Sequence, residues 1–256
     1  MTPATEYFPG FDGARLAVHR LGPEIDRGGR PLVLLHGLFS SAEVNWVKYG
    51  TARRLAEAGF ACIMPDLRAH GLSAKPHEAE AYPADVLVRD LEALIGALGL
   101  DDYDMAGFSL GARTALRGVT RAGLAPRRLV LGGMGLAGLT GWMGRIDFFL
   151  DVIARFGTIG RDDPAYMAQN FMRSTKVDLV ATRLLLESFT PGAGENLAAV
   201  TMPTLLVCGT EDHDNGSAEE LAAALPDGRY APIPGNHMSS VTRPELGEAM
   251  AAFLQG

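Results

Sequence analysis

The alternation of short apolar segments with amphipathic helical patterns constrains the fold of this sequence more than any other feature. The apolar segments end at Gly, Pro, His or Asp and lie at 32–35, 60–64, 103–106, 128–131 and 204–207, with a further strand at 229–233. Short, nearly continuous apolar runs of this kind are typical of buried parallel strands. Helical patterns at 51–58, 85–98, 110–121, 217–225 and 244–254 separate them. The sequence therefore predicts an α/β fold, with a mostly parallel central sheet flanked by helices.

Residues 136–199 interrupt this alternation. They contain helical patterns at 145–156, 165–172 and 177–189 but no strand pattern. A loop of that length without secondary structure is improbable in a compact domain. The sequence therefore predicts a helical cap at 136–199, inserted after the strand at 128–132, on a core formed by residues 1–135 and 200–256. Residues 15–21 are predicted to form an antiparallel strand at the sheet edge.

Charge and cysteine content restrict the partners and the compartment. The 256 residues carry 23 Lys and Arg against 30 Asp and Glu, a net charge of −7, which argues against nucleic acid or an anionic membrane as the main partner. Cys62 and Cys208 each lie in an apolar strand pattern, so no disulfide framework is expected. With no signal-peptide pattern and no apolar run long enough to span a bilayer, the sequence predicts a cytoplasmic protein that acts on small molecules. It leaves the oligomeric state open.

A serine lies between a predicted strand and a predicted helix, in the segment 107–111 (GFSLG). A serine on a sharp strand-to-helix turn takes a strained backbone conformation, and the residues two positions before and after it must be small. Gly107 and Gly111 satisfy that requirement. Ser109 is therefore the candidate nucleophile.

A nucleophilic serine needs a base, and the base needs an acid that orients it. His237 follows the strand at 229–233 in a Gly-Asn loop, although a lone histidine there is more often an ordinary solvated residue. Asp212 and Asp214 follow the strand at 204–207. Asp212 is the preferred acid and Asp214 the alternative, since an acid at 214 also suits a helix N-terminus. All these residues follow the carboxyl ends of strands, where ligands bind in such sheets.

Two other loops at the carboxyl ends of strands have different predicted roles. Gly37 permits a tight turn that directs the amide of Leu38 toward the serine, and the amides of Leu38 and Leu110 would then bind a developing oxyanion. His36, in the same turn, is interpreted as structural. In the second loop Asp66, Arg68 and His70 are predicted to form a hydrogen-bonded brace beneath the site. We refer to these three side chains and His36 together as the brace.

No cofactor or metal is expected. The glycines at 133–138 fit a dinucleotide fingerprint, but no second strand with an acidic residue follows at the required distance. The six histidines show no metal-ligand spacing. Aromatic and methionine residues of the cap are candidates for an acyl pocket, with packing onto the core as the alternative for most of them: Trp142, Met143, Phe148, Phe149, Phe156, Tyr166, Met167, Phe171 and Met172.

The segments HGLFSS, DLRAHGLS, GFSLGA, GTED and GNH occur in the order and spacing of the α/β-hydrolase superfamily. Over residues 10–254 the chain resembles the small capped serine esterases of bacteria. The resemblance implies an α/β-hydrolase fold and a triad of Ser109, Asp212 and His237, in the family's chain order. It also implies that the amides of Leu38 and Leu110 form the oxyanion hole.

The activity implied by this resemblance is hydrolysis of small to medium uncharged carboxylic esters through an acyl-enzyme. Epoxide hydrolases and haloalkane dehalogenases carry an aspartate at the position of Ser109, so the sequence argues against both. The alternatives are a lactonase, a perhydrolase, a carbon–carbon bond hydrolase, or a ligand-binding receptor that retains the triad with little turnover.

Overall fold

A central sheet of eight strands forms the core of the computed structural model, which describes residues 2–189 and 194–256, except the side chains of Thr140 and Trp142. The strands are β1 (Ala4–Pro9), β2 (Arg15–Leu21), β3 (Arg30–Leu35), β4 (Phe60–Pro65), β5 (Asp104–Phe108), β6 (Leu129–Gly132), β7 (Thr204–Gly209) and β8 (Gly228–Ile233). Their order is β1-β2-β4-β3-β5-β6-β7-β8. Strand β2 pairs antiparallel with β1 and β4, and every other pairing is parallel. The predicted α/β fold is confirmed.

Both faces of the sheet are covered because both sets of alternating side chains are apolar. Leu32 and Leu34 of β3 pack on the face that carries α1 (Thr51–Glu57) and α9 (Pro244–Gln255). Val33 and Leu35 pack on the other face with α2 (Val86–Leu98), α3 (Leu110–Ala122) and α8 (Ala218–Ala224). Burial on both faces explains why these strands appear in the sequence as continuous apolar runs.

The predicted helical insertion between β6 and β7 is confirmed, and the residues described there form four helices: α4 (Ala137–Thr140), α5 (Trp142–Ala154), α6 (Tyr166–Ser174) and α7 (Leu179–Glu187). The sequence patterns predicted the last three of these helices and not α4. The division into a core and a cap at 136–199 stays a prediction, and residues 190–193 of that range lie outside the described residues. None of the helices described combines the length and apolar character needed to cross a bilayer.

The prediction that residues 15–21 form the sheet edge is wrong. Strand β1 lies outside β2 and pairs with it through Thr5 opposite His19 and Tyr7 opposite Ala17. Strand β1 is exposed along almost its whole length, so no apolar pattern marks it in the sequence. The position of β1 depends on backbone hydrogen bonds to β2, and these do not require any particular pattern of side chains in the sequence.

Candidate active site

The turn between β5 and α3 carries Ser109 in a strained conformation. Its backbone φ of 52° and ψ of −112° lie in a region that residues other than glycine rarely adopt. The flanking glycines have no room for a side chain: a Cβ on Gly111 would lie 2.1 Å from the carbonyl oxygen of Leu35, and one on Gly107 would lie 2.3 Å from the Gly111 backbone. The predicted strained turn with small flanking residues is therefore present.

The structure brings Ser109, His237 and Asp212 together from three separate loops. Ser109 Oγ lies 3.0 Å from His237 Nε2, and His237 Nδ1 lies 2.8 Å from Asp212 Oδ2. With the proton on Nδ1, the imidazole donates to the carboxylate and accepts from the hydroxyl. These are the contacts that the predicted roles of nucleophile, base and orienting acid require. The ring of Phe108 packs on the imidazole, with centroids 5.3 Å apart.

Asp212 rather than Asp214 contacts the imidazole. Asp212 is buried, whereas Asp214 is exposed and forms an ion pair with Arg145 at 3.7 Å. Burial opposes ionisation of Asp212, but the hydrogen bond from His237 and its charge outweigh burial and lower the pKa of that carboxyl. The backbone N–H of Asp214 also donates to Asp212 Oδ1 at 3.2 Å. The geometry favours an ionised Asp212 as the partner of His237.

Cys208 is a contact of the site that the sequence reasoning missed. Its buried Sγ donates to Asp212 Oδ2 at 3.4 Å. Burial, together with the neighbouring Asp212 charge, raises the pKa of the thiol to about 12, so it stays protonated as a donor. In the sequence, Cys208 is marked only by its position at the end of a strand, before Gly209. A cysteine that packs in the core occupies the same kind of position, so the sequence does not identify Cys208 as a contact of Asp212.

The two predicted oxyanion donors are backbone amides, one directly after Ser109 in the chain and one in the loop that follows β3. Leu110 opens helix α3, where a backbone N–H has no intrahelical acceptor. The amide of Leu38 makes no hydrogen bond to any residue described, whereas its neighbours are engaged. The N–H of Gly37 donates to Asn45 Oδ1 and that of Phe39 to His70 Nε2, each at 3.0 Å. The Leu38 amide is thus available between two fixed neighbours.

The brace is present beneath this turn. His36 Nε2 accepts from the N–H of Leu67 at 3.0 Å and Nδ1 donates to the carbonyl of Gly37 at 2.8 Å. Asp66 accepts from Ala42 and Leu72, and hydrogen bonding to His19 helps to lower its pKa to about 2 although burial acts in the opposite direction. Arg68 forms hydrogen bonds with Asp90 and Asp12. The predicted hydrogen bonding of these side chains is confirmed, and their structural role stays a prediction.

We expect acid to destabilise the protein through the brace histidines. Burial and the nearby His36 lower the pKa of His70 to about 3, and burial also lowers that of His36. The unfolded chain, with a histidine pKa of about 6.5, therefore binds more protons below that pH, and stability falls as the pH falls. Between pH 6.5 and pH 5, His70 alone should lower the free energy of unfolding by about 1–2 kcal/mol.

Urea unfolding at those two pH values measures this loss. His70→Gln should show a smaller difference between them than the wild type, because it removes one of the histidines that must become protonated. His213→Gln, at an exposed position, controls for the loss of an imidazole. Equal pH dependence in the wild type and His70→Gln would contradict the prediction.

A cavity of about 690 Å³ opens above the serine, between the core loops and helices α5 and α6. Its lining includes Ser109 and His237 and is mostly apolar, with these aromatic residues: Phe39, Tyr49, Phe108, Phe148, Phe149 and Phe171. Met167 of the predicted pocket group also lines it, whereas Met172 is fully buried in the core. The side chain of Trp142 lies outside the described residues. The structure thus assigns part of the predicted pocket group to the cavity.

The site does not fit a metal ion or a dinucleotide. Carboxylate and imidazole atoms of Asp212, Asp214 and His237 lie within 4.8 Å of one another. Both ring nitrogens of His237, however, already bond to Asp212 and Ser109, so a metal would have to displace one of them.

The glycine segment after β6 does not fit a dinucleotide because it packs against other parts of the protein. A Cβ on Gly135 would lie 2.2 Å from the carbonyl oxygen of Gly216.

Comparison with known proteins agrees with this architecture. Residues 30–129 match the family model described as alpha/beta hydrolase fold. The chain is 32% identical over 144 residues to N-formylmaleamate deformylase from Pseudomonas putida, a match that covers 55% of this chain. The match covers 52% of the length of that relative and 33% of the length of each of three other curated relatives. The chain therefore spans about half or less of the length of these four relatives.

Solved structures match over nearly the whole chain. An esterase from Exiguobacterium antarcticum superposes with a TM-score of 0.78 at 21% identity, covering 99% of this chain and 100% of the esterase. A bromoperoxidase from Bacillus anthracis gives 0.73 at 21% identity, with the same coverage of 99% and 100%. At this level of identity the likeness shows the fold.

Proposed function

The chain belongs to the α/β-hydrolase superfamily, and on that premise we propose that it hydrolyses small to medium uncharged carboxylic esters through an acyl-enzyme. The observation that carries the proposal is the series of contacts from Ser109 through His237 to Asp212 at the base of the cavity. A serine in a strained turn with an imidazole in hydrogen-bonding distance is the arrangement that acyl transfer requires.

In the proposed reaction His237 Nε2 takes the proton as Ser109 Oγ attacks the ester carbonyl. The amides of Leu38 and Leu110 bind the oxyanion that forms, and Asp212 stabilises the imidazolium. His237 then protonates the leaving alkoxide. A water molecule, deprotonated by His237, attacks the acyl-enzyme and releases the acid.

The cavity supports an uncharged substrate. Its wall is dominated by phenylalanine side chains, which favour apolar acyl or alkoxy groups. Arg145 and Asp214 are its charged lining residues, and they pair with each other at 3.7 Å. The pair offers little net charge to a substrate, so neither a carboxylate nor an ammonium group is favoured there.

Steady-state hydrolysis of p-nitrophenyl esters with acyl chains of two to eight carbons tests the proposal. We expect multiple turnovers, and labelling of Ser109 by a fluorophosphonate, identified by peptide mapping. A label on another residue, or none, would contradict the assignment of the nucleophile. A burst of one product equivalent without further turnover would instead favour a ligand-binding protein that retains the triad.

A further inference from the structure

Asn45 lies next to the turn at Gly37 and Leu38, in a backbone segment of unusual conformation. It occupies the middle of a π-helical turn, Glu43–Val47, that follows β3. Such turns are rare and occur frequently at functional sites. Asn45 is 2% exposed, yet it lines the same cavity as Ser109. An asparagine buried in a mostly apolar wall needs a hydrogen-bonding explanation.

One end of the Asn45 carboxamide is fixed by the turn. Its Oδ1 accepts the N–H of Gly37 at 3.0 Å. Because that partner is a donor, the oxygen must face Gly37 and the NH₂ group must face away from it. A Cβ on Gly37 would lie 3.6 Å from Asn45 Oδ1 and also 3.6 Å from Ser109 Cβ, so the carboxamide oxygen and the serine side chain both flank the Gly37 position.

The other end of the carboxamide lacks a partner among the residues that the structure describes. Asn45 Nδ2 is buried and makes no hydrogen bond to any residue described in 2–189 or 194–256. A buried donor left unpaired is costly, whereas an acceptor oxygen brought by a ligand removes that cost. The amides of Leu38 and Leu110 already serve the scissile carbonyl in the proposed mechanism, so Nδ2 is free for a different oxygen.

We propose that Asn45 Nδ2 donates a hydrogen bond to a second acceptor oxygen of the substrate, besides the scissile carbonyl. The preferred substrates are therefore esters with an ether, hydroxyl or carbonyl oxygen near the scissile group, on the acyl or the alcohol side. A site with a donor for such an oxygen discriminates against the analogue that lacks it. This inference rests on the proposed ester hydrolysis and adds the substrate class.

Two substrate pairs that differ only in an oxygen replacing a methylene test the inference. The acyl-side pair is p-nitrophenyl methoxyacetate and p-nitrophenyl butyrate, and the alcohol-side pair is 2-methoxyethyl butyrate and butyl butyrate. The quantity measured is the ratio of kcat/KM within each pair. Comparing the ratio between variant and wild type cancels the intrinsic reactivity of the esters and any effect on the shared oxyanion.

Asn45→Asp retains an acceptor for Gly37 but removes the donor, and Asn45→Ala provides a second variant if the first does not fold. We expect the ratio of at least one pair to fall about tenfold, which corresponds to the loss of one hydrogen bond. Ser41→Ala, the matched control, removes only the bond from the Val44 N–H to Ser41 Oγ in the same segment and should leave both ratios unchanged.

The possible failures are distinguishable. Unchanged ratios in both pairs, measured on a folded Asn45 variant while the wild type turns over the esters, overturn the role of Asn45 and leave the proposed function intact. A fall of the same size in Ser41→Ala would assign the effect to the backbone segment and also overturn it. Absence of turnover by the wild type on all four esters contradicts the proposed function, and this inference with it.

Discussion

Ser109→Ala is expected to lower kcat for ester hydrolysis by about 10⁶-fold, the loss typical when a serine hydrolase loses its nucleophile. The variant should also resist fluorophosphonate labelling. Its free energy of unfolding should stay close to that of the wild type or rise. The substitution removes only the hydrogen bond between Ser109 Oγ and His237 at 3.0 Å, and residues selected for catalysis are often not the most stabilising choice at their position. Stopped assays at high enzyme concentration, with urea unfolding in parallel, measure both quantities.

Ser73→Ala is the matched control, since both serines are buried. Ser73 Oγ accepts from the N–H of Ala17 and donates to the carbonyl of Asp66, so its removal leaves two buried backbone groups unpaired. We expect a loss of about 1–3 kcal/mol in unfolding free energy with turnover per folded molecule retained. A large loss of stability in Ser109→Ala, or activity that survives in it, would contradict the assignment of the serine.

Asp212→Asn is expected to lower kcat by roughly 10⁴-fold. An amide at this position donates to His237 Nδ1 and moves the ring proton to Nε2, where it blocks acceptance of the proton from Ser109. Asp214→Asn makes the same chemical change two residues away, on an exposed side chain that pairs with Arg145. It should leave kcat near the wild-type value, because the hydrogen bond to His237 Nδ1 comes from Asp212 and, among the described residues, none joins the Asp214 side chain to the imidazole.

Steady-state kinetics of the two variants on one p-nitrophenyl ester, with circular dichroism to confirm folding, decide between the acids. A larger loss in Asp214→Asn would show that the exposed carboxylate is the functional partner of His237. Equal, small losses in both would mean that the base is oriented without either acid.

Local sequence patterns predicted a large part of this protein. The continuous apolar runs predicted the parallel strands because both faces of β3 to β7 are covered. The spacing of Gly107, Ser109 and Gly111 predicted the strained turn, since backbone crowding there excludes larger residues. The strand-following positions of Asp212 and His237 predicted that these residues meet Ser109.

Other features left no local signal. Strand β1 is exposed and therefore lacks an apolar pattern, so it was missed as the sheet edge. The contacts of Cys208 with Asp212 and of Asn45 with Gly37 depend on how side chains from different segments pack. Cysteine in a strand and asparagine before a tryptophan are compatible with many environments, and their sequence positions do not select one.

By itself the sequence determined the α/β architecture and the serine and histidine proposed for the chemistry, with Asp212 preferred over Asp214 as the acid, because strand periodicity, glycine spacing and strand-end placement are properties of neighbouring residues. Only the tertiary structure decided that Asp212 rather than Asp214 supplies the carboxylate bonded to His237, which aromatic side chains line the cavity, and that the donor of Asn45 lacks a partner within the part of the chain that the structure describes. Distances of a few ångströms between segments far apart in the chain settle these points, since a hydrogen bond depends on the position of both partners.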